Sequence, residues 1–146
     1  MVGRCRLKYF YPLQIMSDTY SRNYILRHAS QLSVVFEKRP KKYMFGCHNY
    51  GDIPGYINEA DGDPWDVFAP GFEFRELKIG SKYKIKKVIG YYKLKNGNDK
   101  IAIRVFCPEY NEDNAKKEIK RFCALYSKRV KVPGKWVSLD ENFDEL

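Results

Sequence analysis

The most specific segment of this 146-residue chain runs Asp61-Gly62-Asp63-Pro64-Trp65-Asp66-Val67. Its three carboxylates fall within six residues, and Gly62 and Pro64 keep the backbone out of a helix. Unpaired carboxylates would repel each other, and a divalent cation would remove that cost. Mg²⁺ prefers oxygen ligands and several water molecules, so an open group of aspartates suits it without histidine or thiolate. The alternative interpretation is a solvated turn in which aspartate side chains bond the local backbone.

A second segment precedes this motif and reads Asn49-Tyr50-Gly51-Asp52-Ile53-Pro54-Gly55. Together the two segments resemble the signature region of the soluble inorganic pyrophosphatases of the Mg²⁺-dependent, β-barrel type. The resemblance covers roughly residues 43–137 and takes in Phe45, the hairpin at Asp99, the helix ending at Tyr126 and the Gly134-Lys135-Trp136-Val137 segment. It implies one inorganic-pyrophosphatase-like domain over residues 1–146. The expected fold is mainly β (α+β), a small oligonucleotide-binding-like β-barrel with one or two flanking helices.

The resemblance also implies a function, the hydrolysis of pyrophosphate to two phosphates with Mg²⁺ as the cofactor. The residues implied to bind metal are Asp61, Asp66 and Asp99. The residues implied to act in catalysis are Asp63, which would deprotonate the attacking water, and the phosphate-contacting Tyr50 and Tyr126. Weaker matches assign substrate binding to Lys8, to Arg39 or Lys38, to Lys100 and to Lys128. Two Mg²⁺ ions could lower the pKa of a bridging water and neutralise phosphate charge, so these roles are chemically consistent.

Some positions depart from the family pattern. Phe10 stands where a glutamate is expected, and Ser127 stands where a phosphate-binding lysine is expected. The hairpin carries Asp99 but lacks a second acidic ligand, with Asn96 near that place. Fewer carboxylates would bind fewer Mg²⁺ ions, so we expect weakened turnover.

The net charge supports a second hypothesis. The chain has 27 Lys and Arg residues against 18 Asp and Glu, a formal net charge of +9 that attracts polyanions. Basic residues concentrate in the run 38–42 and on one face of a predicted helix, over 116–121. The alternative function is therefore a catalytically inactive, pyrophosphatase-like structural subunit of an RNA-rich assembly, such as an organellar ribosome. The sequence is also compatible with assembly of the chain into a homo-oligomer.

The composition of the chain also restricts the class of protein and its location. Hydrophobic residues make up 44% of the chain, which fits one compact domain, and no apolar run is long enough to cross a membrane. We therefore expect an intracellular protein, cytoplasmic or mitochondrial, with no membrane partner. The four cysteines form no C-x-x-C pair, so neither a zinc site nor a disulfide is predicted, and Cys47-His48 is interpreted as buried and inert.

The pattern along the chain predicts the following elements. Strands are expected over 4–11, 30–37, 82–92, 100–106 and 135–137. An Asn96-Gly97 turn should join the third and fourth of these strands as a hairpin. The glycine- and proline-rich segment 50–80 is expected to be mostly loops and short extended pieces. A helix is expected over 111–129, with one apolar and one basic face.

Overall fold

The computed structural model describes residues 21–37, 49–72 and 77–146. Three groups of sequence predictions lie outside these ranges: the strand over 4–11 with Lys8, the basic run 38–42 with Arg39, and the Cys47-His48 pair.

Six strands form one mixed sheet in the order β1-β2-β3-β5-β4-β6, and β1 also pairs with β4. The strands are β1 (Ser33–Phe36), β2 (Tyr50–Asn58), β3 (Asp63–Phe68), β4 (Lys82–Leu94), β5 (Lys100–Val105) and β6 (Gly134–Ser138). The β1–β4 pairing closes the first five strands into a barrel and leaves β6 beside β4 as an extension. Only the β3–β5 pairing is parallel. The prediction of a small, mainly β barrel with flanking helices is confirmed.

Strand β4 is long enough to serve three neighbours. It pairs with β5 along most of its length, with β1 near its start and with β6 near its end. Two register shifts against β5 let it curve around the barrel. The predicted hairpin follows, because Gly97 takes a φ of 84° and its N–H donates to the carbonyl of Leu94 at 3.0 Å.

The prediction of loops over 50–80 is wrong for most of this segment. Strands β2 and β3 pair as an antiparallel hairpin, and buried Ile53, Trp65 and Val67 alternate with more exposed neighbours. Glycine and proline interrupt the pairing only locally, since Pro54 and Gly55 are exposed at the register shift between Ile53 and Ile57. Pro54 and Gly55 therefore mark a bulge within β2 and do not end the strand.

Helix α2 (Glu112–Val130) follows the predicted pattern closely. The Oδ1 of Asn111 accepts the N–H of Asn114 and caps its start, while Lys131 ends it in a left-handed conformation with a φ of 58°. The predicted apolar face is buried at Ala115, Ile119 and Phe122. This face covers the outer surface of the sheet.

The described residues form two hydrophobic clusters, one on each side of the sheet. The first fills the barrel and includes Trp65 and Val67. The second lies between the sheet and α2 and includes Phe68 and Phe122. Because side chains alternate along a strand, Asp66 lies on the same side of β3 as Phe68, facing α2.

A short helix, α1 (Arg22–His28), was not predicted. The hydroxyl of Ser21 accepts the N–H of Tyr24 at 3.1 Å and caps the helix, and Ile25 is fully buried in the barrel cluster. One core residue in seven gives too little periodicity to reveal a helix in the sequence.

Two further predictions concern cysteine and membranes. Cys107 and Cys123 are reduced, the thiol of Cys107 donates to Glu109, and burial raises the pKa of the Cys123 thiol to about 12. Neither helix in the part of the chain that the structure describes has the length and apolar character required to cross a bilayer.

Candidate functional site

A row of polar side chains crosses the outer face of the barrel beneath α2. Asp52 of β2 stands directly opposite Asp66 of β3, and Tyr92 of β4 stands opposite Lys100 of β5. The Nζ of Lys100 donates to the Oδ2 of Asp66 at 2.5 Å and joins the two pairs. This polar row therefore runs across β2, β3, β5 and β4 in that order.

Lys100 is the cation at the centre of the polar row. Its side chain is only 4% exposed, and its Nζ also donates to the Oδ1 of Asn98 at 3.0 Å. The ammonium lies 5.9 Å from the centre of the Tyr126 ring. A buried ammonium is stable only with a counter-charge, and Asp66 supplies it here.

Tyr126 lies above the polar row on α2, with the centre of its ring 5.9 Å from the Nζ of Lys100. Burial raises the pKa of its phenol, and the negative charges of Asp66 and Asp61 raise it further. The phenol therefore stays protonated at neutral pH and keeps a hydrogen that it can donate.

Asp52 is the site residue that sequence analysis missed. Burial raises the pKa of its carboxyl, and the nearby charges of Asp66 and Asp63 add to the effect. The residue belongs to the Asn49–Gly55 segment, but only the β2–β3 pairing reveals that it faces Asp66. Strand alternation was the available signal, and the prediction of loops over 50–80 concealed it.

Asp61 and Asp63 occupy the exposed turn that leads into β3. The Oδ1 of Asp61 accepts the N–H of Asp63 at 2.9 Å, and Gly62 between them has a φ of 76°. The alternative of a local aspartate turn is thus present at Asp61. The same turn leaves both carboxylates open to solvent. The charge of Asp63 acts on the carboxyl of Asp52, and the charge of Asp61 acts on the phenol of Tyr126.

Asp99 has a different environment from the other aspartates. It is 3% exposed, and its Oδ2 accepts a hydrogen bond from Arg22 of α1 at 2.7 Å. Its Oδ1 accepts the N–H of Leu94 at 2.8 Å. The Arg22 guanidinium also lies 4.3 Å from the centre of the Tyr91 ring. Both oxygens of Asp99 therefore hold the hairpin and α1 together, and the structure does not bring this residue into the polar row.

Two predicted site residues remain, Tyr50 and Lys128, and they lie on different sides of α2. Tyr50 stands opposite Phe68, so it shares the sheet face of Asp52 and packs against the cluster under α2. Lys128 is exposed and follows Tyr126 by two residues, which places it about 200° around the helix. Lys128 therefore points away from the polar row.

The carboxylates of the site can be compared with the ligands that Mg²⁺ requires. Within 21–37, 49–72 and 77–146, no three His, Cys, Asp or Glu side chains are grouped so that they could hold a metal ion. Mg²⁺ is usually held by one or two carboxylates, with water molecules and substrate phosphates as the other ligands. Asp52, Asp61, Asp63 and Asp66 offer only carboxylate oxygens. These residues fit Mg²⁺ bound together with a phosphate substrate, and Asp99 is not part of that set.

Replacing Asp52 by asparagine is expected to raise the free energy of unfolding at neutral pH. The raised pKa of Asp52 means that its charged form is disfavoured in the folded state, because it is partly buried near Asp63 and Asp66. The gain in the free energy of unfolding should be full above the folded-state pKa and should fade as pH falls toward 3.8, the ordinary pKa of an aspartate carboxyl. Urea unfolding from about pH 7 down to about pH 4, a range that covers most of the titration of a carboxyl group, measures how the stability gain depends on pH. A variant less stable than the parent at pH 7 would contradict it.

The site thus combines acidic groups with a buried cation and a protonated phenol. Solvent-facing carboxylates can bind a cation or accept a proton, while Lys100 and Tyr126 can donate to an anion. Comparison of the chain with models of known protein families and with curated proteins gave no match.

Proposed function

We propose that this protein hydrolyses pyrophosphate to two phosphates in a Mg²⁺-dependent reaction at the polar row. The observation that carries the proposal is the meeting of Asp66, Lys100 and Tyr126 under α2, beside the open Asp61–Asp63 turn. Repulsion between neighbouring carboxylates destabilises the fold, and such a feature is typical of functional sites. The sequence resemblance to the pyrophosphatases supports the same reaction.

The acidic side of the site would bind the cation and activate water. When bound, Mg²⁺ neutralises phosphate charge and makes a coordinated water more acidic. Asp61 and Asp66 are the residues that would hold it. Asp63 is exposed and pairs with no cation in the described ranges, so its carboxylate can accept the proton of the attacking water.

The basic side of the site would bind the phosphate groups. The phenol of Tyr126 remains protonated and can donate to a phosphate oxygen. The ammonium of Lys100 is held by Asp66 and Asn98, which leaves its third proton for the substrate. Because Lys100 is buried and Tyr126 is partly buried, their interaction with developing negative charge is strengthened.

Phosphate release from pyrophosphate, measured across a Mg²⁺ titration and in the presence of a chelator, tests this proposal. We expect release that depends on Mg²⁺ and is lost in the Asp66→Asn variant. Asp144→Asn is the matched control, because Asp144 is exposed and lies outside the polar row. Release that persists under chelation, or equally in Asp66→Asn, would overturn the proposal.

Asp66→Asn leaves the buried Lys100 ammonium without its counter-charge, so this variant risks misfolding. Asp61→Asn provides a second test, since Asp61 is exposed and forms no ion pair among the described residues. It should retain the circular dichroism spectrum of the parent and require a higher Mg²⁺ concentration for the same rate. An unchanged Mg²⁺ requirement in Asp61→Asn would contradict its assigned role.

A further inference from the structure

The ammonium of Lys100 is held by oxygen atoms of the kind that also bind metal ions. Its Nζ lies 2.5 Å from the Oδ2 of Asp66 and 3.0 Å from the Oδ1 of Asn98. The side chain is 4% exposed, so this positive charge is buried between a carboxylate and an amide. Carboxylate and amide oxygens are common ligands of divalent cations. The ammonium therefore uses oxygen atoms that a metal ion would otherwise take.

Asp66 keeps one oxygen atom available. Among the described residues, none donates a hydrogen bond to its Oδ1, and its side chain is 22% exposed. A carboxylate can contact a different cation through each of its two oxygens. Asp66 can thus bind Mg²⁺ through Oδ1 while its Oδ2 stays with Lys100.

Asp99 shows a related arrangement at a second position. The resemblance assigns this residue to a metal ion, but its Oδ2 contacts the guanidinium of Arg22 at 2.7 Å. Its Oδ1 accepts the N–H of Leu94 at 2.8 Å, so both oxygens are in use. Among the aspartates implied to bind metal, Asp61 alone pairs with no cationic side chain in the ranges that the structure describes. Side-chain cations have therefore taken two of the positions that the resemblance gives to metal.

We propose that Lys100 replaces one of two Mg²⁺ ions, so that the site binds a single Mg²⁺ and the ammonium supplies the second cation. A second Mg²⁺ on the Oδ2 of Asp66 would meet the ammonium at close range and be repelled. The role in hydrolysis rests on the proposed function, whereas the occupied cation position rests on the contacts of Lys100 alone.

The replacement divides the work of two metal ions between different groups. The third proton of the Lys100 ammonium is left for a phosphate oxygen, so Lys100 can join Asp66 to the substrate as a metal ion would. An ammonium does not bind water as an acidic ligand, so the activation of water remains with the single Mg²⁺ and with Asp63.

The number of metal ions bound after removal of Lys100 tests the proposal. Mn²⁺ takes the same oxygen ligands as Mg²⁺, and the loss of its free-ion electron paramagnetic resonance signal counts the bound ions. Lys100→Ala should bind one Mn²⁺ ion more per chain than the parent. The double variant Lys100→Ala, Asp66→Asn should lose this additional ion. No additional ion in Lys100→Ala would overturn the proposal.

Lys87→Ala is the matched control. The ammonium of Lys87 also pairs with an aspartate, contacting the Oδ2 of Asp140 at 2.6 Å, but its side chain is 45% exposed. The other oxygen of Asp140 accepts the N–H of Asn142. This variant lowers the net charge by the same amount and should bind as many Mn²⁺ ions as the parent. An equal gain in both variants would show general attraction of Mn²⁺ to a less positive chain and overturn the proposal.

Lys100→Ala leaves Asp66 without its counter-charge, so its folding is followed by circular dichroism in metal-free buffer. If the spectrum of the parent is lost there, Mn²⁺ should restore it, because an ion that binds only the folded chain stabilises the folded chain. A spectrum that Mn²⁺ does not restore would overturn the proposal.

The Mg²⁺ dependence of phosphate release separates this proposal from the proposed function. The parent should respond with a Hill coefficient of about 1. Lys100→Ala should release phosphate more slowly and regain part of its rate as the Mg²⁺ concentration rises. A rate that stays equally low at every concentration would show that Lys100 only binds phosphate, and would overturn its role in place of Mg²⁺. If the parent releases no phosphate, the proposed function fails, and the Mn²⁺ count still decides whether Lys100 fills a cation position.

Discussion

Replacement of Asp63 by asparagine is expected to lower kcat for pyrophosphate hydrolysis by about 10²- to 10⁴-fold, the usual contribution of a positioned general base. Asparagine has nearly the same shape but cannot accept the proton of the attacking water. Asp63 is exposed at the first position of β3, where its Cα partner is Asn58, so the exchange should leave the fold intact. Phosphate release at saturating Mg²⁺ and pyrophosphate measures the change.

Two observations separate this role from a merely structural one. If Asp63 is the base, kcat should fall while KM stays close to that of the parent, because the lost interaction acts on the transition state. The limb of the pH–rate profile that reports the ionisation of the base should also disappear. A loss of less than tenfold, or a rise in KM alone, would assign the base to another group. Asp144→Asn is again the control.

Replacement of Phe122 by alanine is expected to lower the free energy of unfolding by about 3–5 kcal/mol, as in other truncations of buried aromatic residues. The ring is fully buried and stacks on Phe68 with centroids 4.3 Å apart. It also meets the edge of Tyr92 at 6.3 Å. Alanine would leave a cavity between the sheet and α2 that neither element can close alone.

Urea unfolding measures this loss, with Leu125→Ala as the matched control on the same helix. Leu125 is 41% exposed, so its truncation should cost about 1 kcal/mol or less. Equal losses in the two variants would contradict the packing described for Phe122. Tyr126 packs on Phe122 with ring centroids 5.5 Å apart. Phe122→Ala should therefore also lower the rate of hydrolysis, because the phenol loses its support.

Much of the barrel could be predicted because local signals agree with it. Alternation along β5 and the Asn96-Gly97 turn predict the central hairpin, and the apolar periodicity predicts α2. The β2–β3 hairpin could not be predicted in the same way, since Pro54 and Gly55 indicate a loop when counted by composition. Their place at a bulge depends on the pairing of two strands, and such pairing is a tertiary property.

The candidate site was predictable in its residue types but not in its partners. Asp66 and Lys100 could each be selected from the sequence, whereas their ion pair requires β3 and β5 to be parallel neighbours. The burial of Asp99 against Arg22 depends on α1, which the sequence did not predict. Contacts between residues this far apart in the chain leave no local pattern.

The β1–β4 pairing that closes the barrel also bears on how the protein folds. It joins residues distant in the chain, such as Val34 and Tyr83. Such contacts form only after a large loss of chain entropy, and domains dominated by them fold in milliseconds to seconds. Strands β2 and β3 lie inside the segment that this pairing encloses, and their hairpin brings Asp52 opposite Asp66 by local pairing. Lys100 joins Asp66 only through β5, which follows β4 in the chain. A nascent chain that has not yet released β5 from the ribosome would therefore lack the Asp66–Lys100 ion pair.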